Sequence, residues 1–200
     1  MTATVIAYDL VMGRWEPNAR GRLERAAMEL YHQRGFESTT VAEIAERAGL
    51  TERTFFRYFA DKREVLFAGA SVLQEILVSK VADAPASLPP IDAVAAALAE
   101  VATVLFEERR EFARQRQAII AANSELQERE LIKLASLASA VAGALRGRGV
   151  SDPAASLAAE AGIAVFRIAF ERWTGEAGER PLAQLIQESV DELKLVTAGR

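Results

Sequence analysis

The chain has 200 residues and is 50% hydrophobic, which is enough for one or two domains with a buried core. It contains no cysteine, which excludes disulfide bonds, Cys-based zinc sites and a cysteine nucleophile. Its one histidine, His32, leaves little material for a catalytic triad or a multi-histidine metal site. The net charge of −4 is unevenly distributed: residues 14–63 carry 10 Lys and Arg against 8 Asp and Glu, and the other residues carry 14 and 20. We therefore expect a weakly basic N-terminal part and an acidic remainder.

Four helices are predicted in the N-terminal part. Apolar residues recur at helical spacing, and Gly35 and Gly49 are natural stops for the first two helices. Thr40 followed by Glu43 forms a capping box at the start of the second helix. The predicted helices are Asn18–Arg34, Thr40–Ala48, Glu52–Tyr58 capped by Thr51, and a fourth that is capped by Asp61 and continues to about Ala82.

Five more helices are predicted after a linker-like break at 83–90. No strand pattern and no repeat of fixed period is visible, so the sequence predicts an all-α fold of nine helices. We expect no membrane partner, because no run approaches the roughly 18 continuous apolar residues that span a bilayer. The predicted bounds are about Ile91–Glu108, Glu111–Ala121, Ser124–Arg146, Pro153–Trp173 and Pro181–Val196.

The segment 40–62 has the sequence pattern of a helix-turn-helix, with Gly49 in the turn between two short helices. At 100° per residue, Phe55 and Phe59 share one face of the third helix, and Arg53 and Arg57 share the opposite face. A major groove about 12 Å wide admits one α-helix, and arginines on its outer face can bind guanine or phosphate. This pattern predicts a DNA-binding surface.

Each of these outward residues also has a simpler interpretation. Arg53 and Arg57 could be ordinary solvated charges. Phe56 could fold back against the first helix instead of contacting a thymine methyl or the sugar-phosphate wall. The surrounding motif favours DNA contact.

The stretch GFESTTVAEIAERAGLTERTFFRYFADKREVL resembles the N-terminal signature of the TetR family of transcriptional regulators. The resemblance is specific over Asn18–Leu66, and beyond Leu66 it depends on the all-helical, TetR-like architecture alone. The chain departs from the common family pattern at Glu52, Arg53 and Phe56. The resemblance implies DNA contacts by Thr40, Thr51, Glu52, Arg53, Thr54, Phe56, Tyr58 and Lys62, to which the helical wheel adds Arg57.

Basic residues also precede the first helix. Arg14, Arg20 and Arg22 suit an arm that follows the DNA backbone or enters the minor groove, although a disordered basic tail fits them equally well. We therefore expect a flexible arm at 1–17, a helix-turn-helix domain at 18–62 and a ligand-binding and dimerisation domain at 63–200.

The resemblance implies that the last two helices form a two-fold dimer interface. Small and apolar residues recur along both helices, although the same stripes could instead be internal core. The candidate interface residues are Ala158, Gly162, Val165, Ala169, Leu182, Ile186 and Val190.

The resemblance also implies a small-molecule effector in the C-terminal body. Aromatic residues could line an apolar cavity or be plain core, and an inward-turned arginine would suit an anionic ligand such as a fatty acid or acyl thioester. The candidates are Phe106, Arg116, Asn123, Phe166, Arg167 and Phe170.

The sequence contains no P-loop, dinucleotide fingerprint or paired metal-ligand motif, so we expect no enzyme, catalytic residue, metal or cofactor. The function predicted is a cytoplasmic, nucleoid-associated homodimer that represses transcription from a double-stranded DNA operator and is released by an apolar or anionic effector. The alternative is an effector-independent activator or nucleoid-associated DNA-binding protein.

Overall fold

The computed structural model describes residues 18–175 and 180–199. These residues form nine α-helices and no strand, which confirms the predicted all-α, nine-helix fold. Two short 3-10 helices, Glu64–Phe67 and Glu107–Arg109, precede α4 and α6. The helices are α1 Ala19–Arg34, α2 Val41–Arg47, α3 Glu52–Tyr58, α4 Ala70–Asp83, α5 Pro90–Leu105, α6 Arg110–Ala121, α7 Ser124–Gly147, α8 Asp152–Gly175 and α9 Leu182–Thr197.

The fourth helix begins later than predicted. Asp61 does act as a cap, because its Oδ1 accepts hydrogen bonds from the backbone N–H groups of Arg63 at 2.8 Å and Glu64 at 3.1 Å. The element that it caps is the 3-10 helix Glu64–Phe67, and α4 starts only after Gly69. The predicted single helix is therefore wrong, because an Asp cap signals the first turn but not whether the helix continues.

The chain divides into two compact units between Ala68 and Gly69, which we call the head and the body. In the head, α1 packs against α2, α3 and the first 3-10 helix. Its core consists of apolar residues from all of these elements, including Leu23, Ile44, Phe55 and Phe59, which are almost completely buried. Neither α2 nor α3 is long enough to be stable alone, so this core holds them in place.

In the body, α8 is the central helix and contacts α5, α6, α7 and α9. The buried indole of Trp173 and the buried rings of Phe166 and Phe170 lie on its inward face. Gly162 allows α5 to approach closely, since a Cβ at this position would lie 3.3 Å from the Cβ of Val94. A large apolar core of this kind accounts for the stability of the body.

Two stretches are long and apolar enough to cross a bilayer by length and composition alone, although neither is a continuous apolar run. The most apolar 18-residue window has a mean hydropathy of 1.6 within residues 64–83 and of 1.4 within residues 152–175. The first stretch is interrupted between the 3-10 helix and α4, and the second is the central core helix α8. Core packing therefore accounts for the apolar character of α8.

Candidate functional site

The capping box at the start of α2 forms as predicted from the sequence. Thr40 Oγ1 accepts a hydrogen bond from the Glu43 N–H at 3.3 Å, and Glu43 Oε2 accepts one from the Thr40 N–H at 2.9 Å. Arg34, in the last turn of α1, donates to Glu43 Oε1 at 2.9 Å. The hydrogen bond from the Thr40 backbone, assisted by the Thr40 hydroxyl and by Arg34, lowers the pKa of Glu43 below its ordinary value. The exposed Thr40 thus stands at a fixed helix N-terminus.

A tight turn joins α2 to α3. Gly49 has φ +64°, its N–H donates to the Glu46 carbonyl at 2.9 Å, and the Leu50 N–H donates to the Ala45 carbonyl at 2.8 Å. This pair of hydrogen bonds around a left-handed glycine is a Schellman motif, which ends α2 and sets the direction of the chain. The direction in which α3 leaves the turn therefore depends on Gly49.

The helix α3 is fixed at its first turn and along its inner face. Thr51 Oγ1 accepts a hydrogen bond from the Thr54 N–H at 3.2 Å and lies 3.0 Å from Thr54 Oγ1. Phe55 is fully buried, and its ring centroid lies 5.5 Å from that of Phe59. The predicted division of α3 into an apolar inner face and a polar outer face agrees with these positions.

The outer face of α3 presents charged, aromatic and hydroxyl groups together. Glu52, Arg53 and Arg57 are exposed, Phe56 is 55% exposed and Tyr58 is 39% exposed. The Arg57 guanidinium lies 4.9 Å from the centroid of the Tyr58 ring and donates to its hydroxyl at 3.1 Å. Phe56 does not fold back into the head, so a large apolar side chain lies among polar groups on an exposed helix.

Lys62 has a structural role that the sequence did not predict. Its Nζ donates hydrogen bonds to the carbonyls of Phe36 at 2.9 Å, Glu37 at 3.2 Å and Thr39 at 3.0 Å. The buried Tyr31 hydroxyl donates to the Lys62 carbonyl at 2.7 Å. Since these carbonyls engage all three ammonium donors, a phosphate contact would require Lys62 to leave one of them. Lys62 joins the α1–α2 turn to the end of the helix-turn-helix.

The three predicted arm residues lie in different surroundings, and Arg22 lies in α1. Arg14 lies outside the described residues. Arg20 is in the first turn of α1, where its guanidinium donates to the Ala68 carbonyl, lies 3.3 Å from a Glu24 carboxylate oxygen and lies 5.6 Å from the centroid of the Phe59 ring. Arg20 is thus engaged in packing within the head and is not part of an extended arm.

The predicted aromatic effector residues pack against one another. The Phe106 ring centroid lies 5.9 Å from that of Phe166, 5.5 Å from that of Phe170 and 6.4 Å from that of Trp173. Arg110 donates to the Trp173 carbonyl at 2.9 Å beside this cluster. A ligand between these rings would have to part them.

The predicted polar effector residues do not converge. Arg116 is only 20% exposed and lies 3.3 Å from a Glu130 carboxylate oxygen, and burial lowers the pKa of its guanidinium. Asn123 donates to the Ile119 carbonyl at 2.6 Å, between α6 and α7. Arg167 is exposed on α8 and pairs with Glu171. Arg116 is thus the less exposed of the two charged residues among these three.

The predicted interface residues on α8 and α9 are core residues, and the prediction is corrected accordingly. Each is buried within a single chain except Ala158, which is partly buried against the same core. A residue that the chain's own core covers cannot contact a second copy directly. The exposed faces of these helices instead carry the apolar residues Leu157, Ile168, Leu195 and Val196.

The head is a helix-turn-helix with a basic and aromatic outer face, and the body is an all-helical core; together they define the class of helix-turn-helix regulators with a helical C-terminal domain. Residues 24–68 match the family model of bacterial regulatory proteins of the tetR family. Residues 88–197 match the model of the MftR C-terminal domain, a TetR C-terminal domain. The second match covers more than half of the chain, and the chain belongs to the TetR family of transcriptional regulators.

Individual relatives agree with this assignment. The HTH-type transcriptional regulator TcmR of Streptomyces glaucescens is 39% identical over 82 residues, which are 41% of this chain and only 36% of TcmR. The FadR repressor of Thermus thermophilus, solved in complex with lauroyl-CoA, is 25% identical with a TM-score of 0.50, over 86% of this chain and 91% of FadR. SmeT is a repressor from Stenotrophomonas maltophilia. The structure of its complex with triclosan is 20% identical to this chain with a TM-score of 0.61, and the match covers 87% of this chain and 90% of SmeT. The matched proteins are regulators, which agrees with the expectation that the chain is not an enzyme.

Proposed function

We propose that this chain is a cytoplasmic, homodimeric repressor that binds a specific DNA operator and leaves it when a small-molecule effector binds the body. The observation that carries the proposal is the outer face of α3. On this seven-residue helix, Arg53 and Arg57 are exposed on the side opposite the buried Phe55 and Phe59. A short helix with this division suits insertion into a major groove.

The side chains of the outer face suit different parts of a duplex. Arg53 is exposed in the first turn of α3 and has the fork geometry for the O6 and N7 acceptors of guanine. Thr40 and Thr51 stand at the N-termini of α2 and α3, where hydroxyls and backbone N–H groups suit phosphate contacts. Glu52 would repel phosphate, and a cytosine amino group is the base edge that it could accept from.

Phe56 provides an apolar contact. Its ring packs edge-on against the buried Phe55 ring, with 5.5 Å between the ring centroids. The Phe56 side chain nevertheless remains about half exposed on the helix surface. A thymine methyl is the apolar group that the major groove offers to such a side chain. We therefore include Phe56 among the specificity-determining residues.

The dimer in this proposal uses the exposed faces of α8 and α9. Leu157 is 71% exposed and Ile168 is 47% exposed on one face of α8, and Leu195 and Val196 are exposed near the end of α9. Exposed apolar residues on adjacent helices suit a self-complementary two-fold interface. A two-fold dimer would present two copies of α3 to the two half-sites of an operator.

The effector in this proposal is an apolar molecule with an anionic group. The aromatic cluster around Phe106 and the largely buried Arg116 are the body's candidates for an acyl chain and an anion, respectively. FadR of Thermus thermophilus, which is similar over most of the body, binds lauroyl-CoA. By linkage, such an effector releases DNA only if it binds the DNA-bound form less tightly than the free form.

Operator binding is tested by selecting DNA sequences with the purified protein and measuring fluorescence anisotropy on the selected site and on random DNA. We expect Arg53→Ala to weaken the binding free energy on the selected site by about 1–3 kcal/mol, which raises Kd roughly 5- to 150-fold. The effect on random DNA should be smaller. Arg114→Ala, which removes a charge from the exposed surface of the body, is the matched control. Absence of any sequence preference in the wild-type protein would disprove the proposal.

Effector release is tested separately with lauroyl-CoA, free CoA and dodecanoate as probes. We expect lauroyl-CoA to raise the Tm of the free protein and to dissociate the preformed DNA complex. If none of the three changes either quantity, the assigned effector class is wrong, and the effector-independent regulator becomes the better description.

A further inference from the structure

A second basic feature lies on the head, outside the helix-turn-helix outer face. Between the first half of α1 and the end of α2 is an open depression of about 170 Å³. Among its residues, only Arg22 was predicted from the sequence to contact DNA, as part of a basic arm. The depression is lined by Arg22, Arg25, Ala26, Glu29, Arg47 and Ala48.

The charges in this depression favour an anion. Three arginines and one glutamate line the depression. The glutamate is Glu29, and its Oε2 lies 3.1 Å from Arg47 Nη1. The Nε of Arg22 is buried and has no hydrogen-bond partner among the described residues. Arg25 is exposed. Since buried N–H donors are normally satisfied, an anion with several acceptor oxygens is the ligand that suits this site.

The position of the depression suggests where the anion comes from. Arg47 and Ala48 end α2, and only Gly49 and Leu50 separate them from Thr51, the cap of α3. Three residues of chain span at most about 11 Å. A major groove is about 12 Å wide and has phosphates along both walls. An α3 helix lying in the groove therefore brings the depression within reach of a wall.

We propose that the depression formed by Arg22, Arg25 and Arg47 binds a phosphate of the operator backbone. This inference rests on the proposed function, since it requires α3 to lie in the major groove. A guanidinium binds phosphate through two parallel N–H···O bonds, so the site adds affinity and fixes the position of the head without reading sequence. It also gives a function to the face of α1 that carries Arg22 and Arg25.

The test is the salt dependence of DNA binding. In anisotropy titrations on the selected operator between about 50 and 300 mM salt, we expect Arg25→Gln/Arg47→Gln to reduce the slope of log K against log salt by about 0.9, the value for one phosphate contact. The loss of affinity should be equal on operator and random DNA. Arg25→Lys keeps the charge and should keep the slope, and Arg114→Gln removes a charge from the body and should also keep it.

Three outcomes would overturn the inference. A double variant with the wild-type slope, in a wild-type protein that still prefers its operator, refutes the phosphate site while leaving the proposed function intact. A loss confined to the operator would mean that the arginines read bases. If inorganic phosphate raises the Tm of the wild type more than that of the double variant while the DNA slopes agree, the depression holds a free anion instead. Circular dichroism and the Tm of each variant show whether it is folded. If the double variant does not fold, the single variant Arg25→Gln, which changes only an exposed residue, replaces it in the salt titrations.

Discussion

Gly162 in α8 packs against Val94 in α5, and a side chain on Gly162 would collide with it. A Cβ built at position 162 lies 3.3 Å from Val94 Cβ and closer still to Val94 Cγ1, whereas carbon atoms are at optimal distance at about 3.5–4.0 Å. Val94 is fully buried. We therefore predict that Gly162→Ala strains the core of the body, and that Val94→Ala relieves the strain.

The magnitudes follow from the local environment. Overpacking costs about 1–3 kcal/mol, and alanine in a helix interior is better than glycine by about 1 kcal/mol, so Gly162→Ala should lower the free energy of unfolding by about 0–2 kcal/mol. Val94→Ala removes two buried methyl groups, at about 1–3 kcal/mol. In the double variant the new methyl group occupies space that Val94 has vacated. We expect a favourable coupling of about 1–3 kcal/mol between the two changes.

The coupling is measured by urea denaturation of the wild type, the two single variants and the double variant. Protomer concentration must be equal in all four, because the unfolding of a dimer depends on it. Additive effects within about 0.5 kcal/mol would refute the packing argument. Sedimentation equilibrium supplies the second readout, the dimer dissociation constant. If Gly162→Ala changes this constant but not the stability of the protomer, Gly162 lies at the subunit interface as the sequence predicted.

Two further predictions concern the head. Lys62→Met removes the three hydrogen bonds from the ammonium to backbone carbonyls. We expect it to lower the free energy of unfolding by about 2–3 kcal/mol in urea, whereas unchanged stability with weakened DNA binding would make Lys62 a phosphate ligand only. For Glu43, hydrogen bonding lowers the pKa in the folded state, so its contribution is present above the unfolded pKa and is lost as pH falls through the folded pKa. Thermal melts from pH 7 to pH 3 should show a smaller acid-induced fall in Tm for Glu43→Gln than for the wild type, and parallel curves would contradict this.

Local signals made the helix-turn-helix predictable. Thr40 with Glu43 and Thr51 with Thr54 form caps between residues three apart, and Gly49 ends α2 through its own left-handed conformation. Each of these interactions closes within one turn, so it can be read directly from a short stretch of sequence. The bounds of α3 were accordingly correct.

Interactions between distant residues were not predictable in this way. Lys62 finds its carbonyl partners 23 to 26 residues earlier in the chain, and nothing adjacent to it indicates them. On α8, alanine and glycine occur on both faces, so the spacing of small residues does not show which face is internal. The side that faces the core was set by α5, which packs against Gly162. The predicted interface residues were for this reason placed on the wrong face.

The shortness of α3 links the stability of the head to its proposed reading of DNA. A seven-residue helix has no stability of its own, and α3 keeps its direction through the Gly49 turn and the buried rings of Phe55 and Phe59. A change on the inner face must therefore weaken folding and DNA binding together, whereas a change at Arg53 can weaken binding alone. Measuring both quantities for each variant separates residues that contact DNA from residues that position the helix.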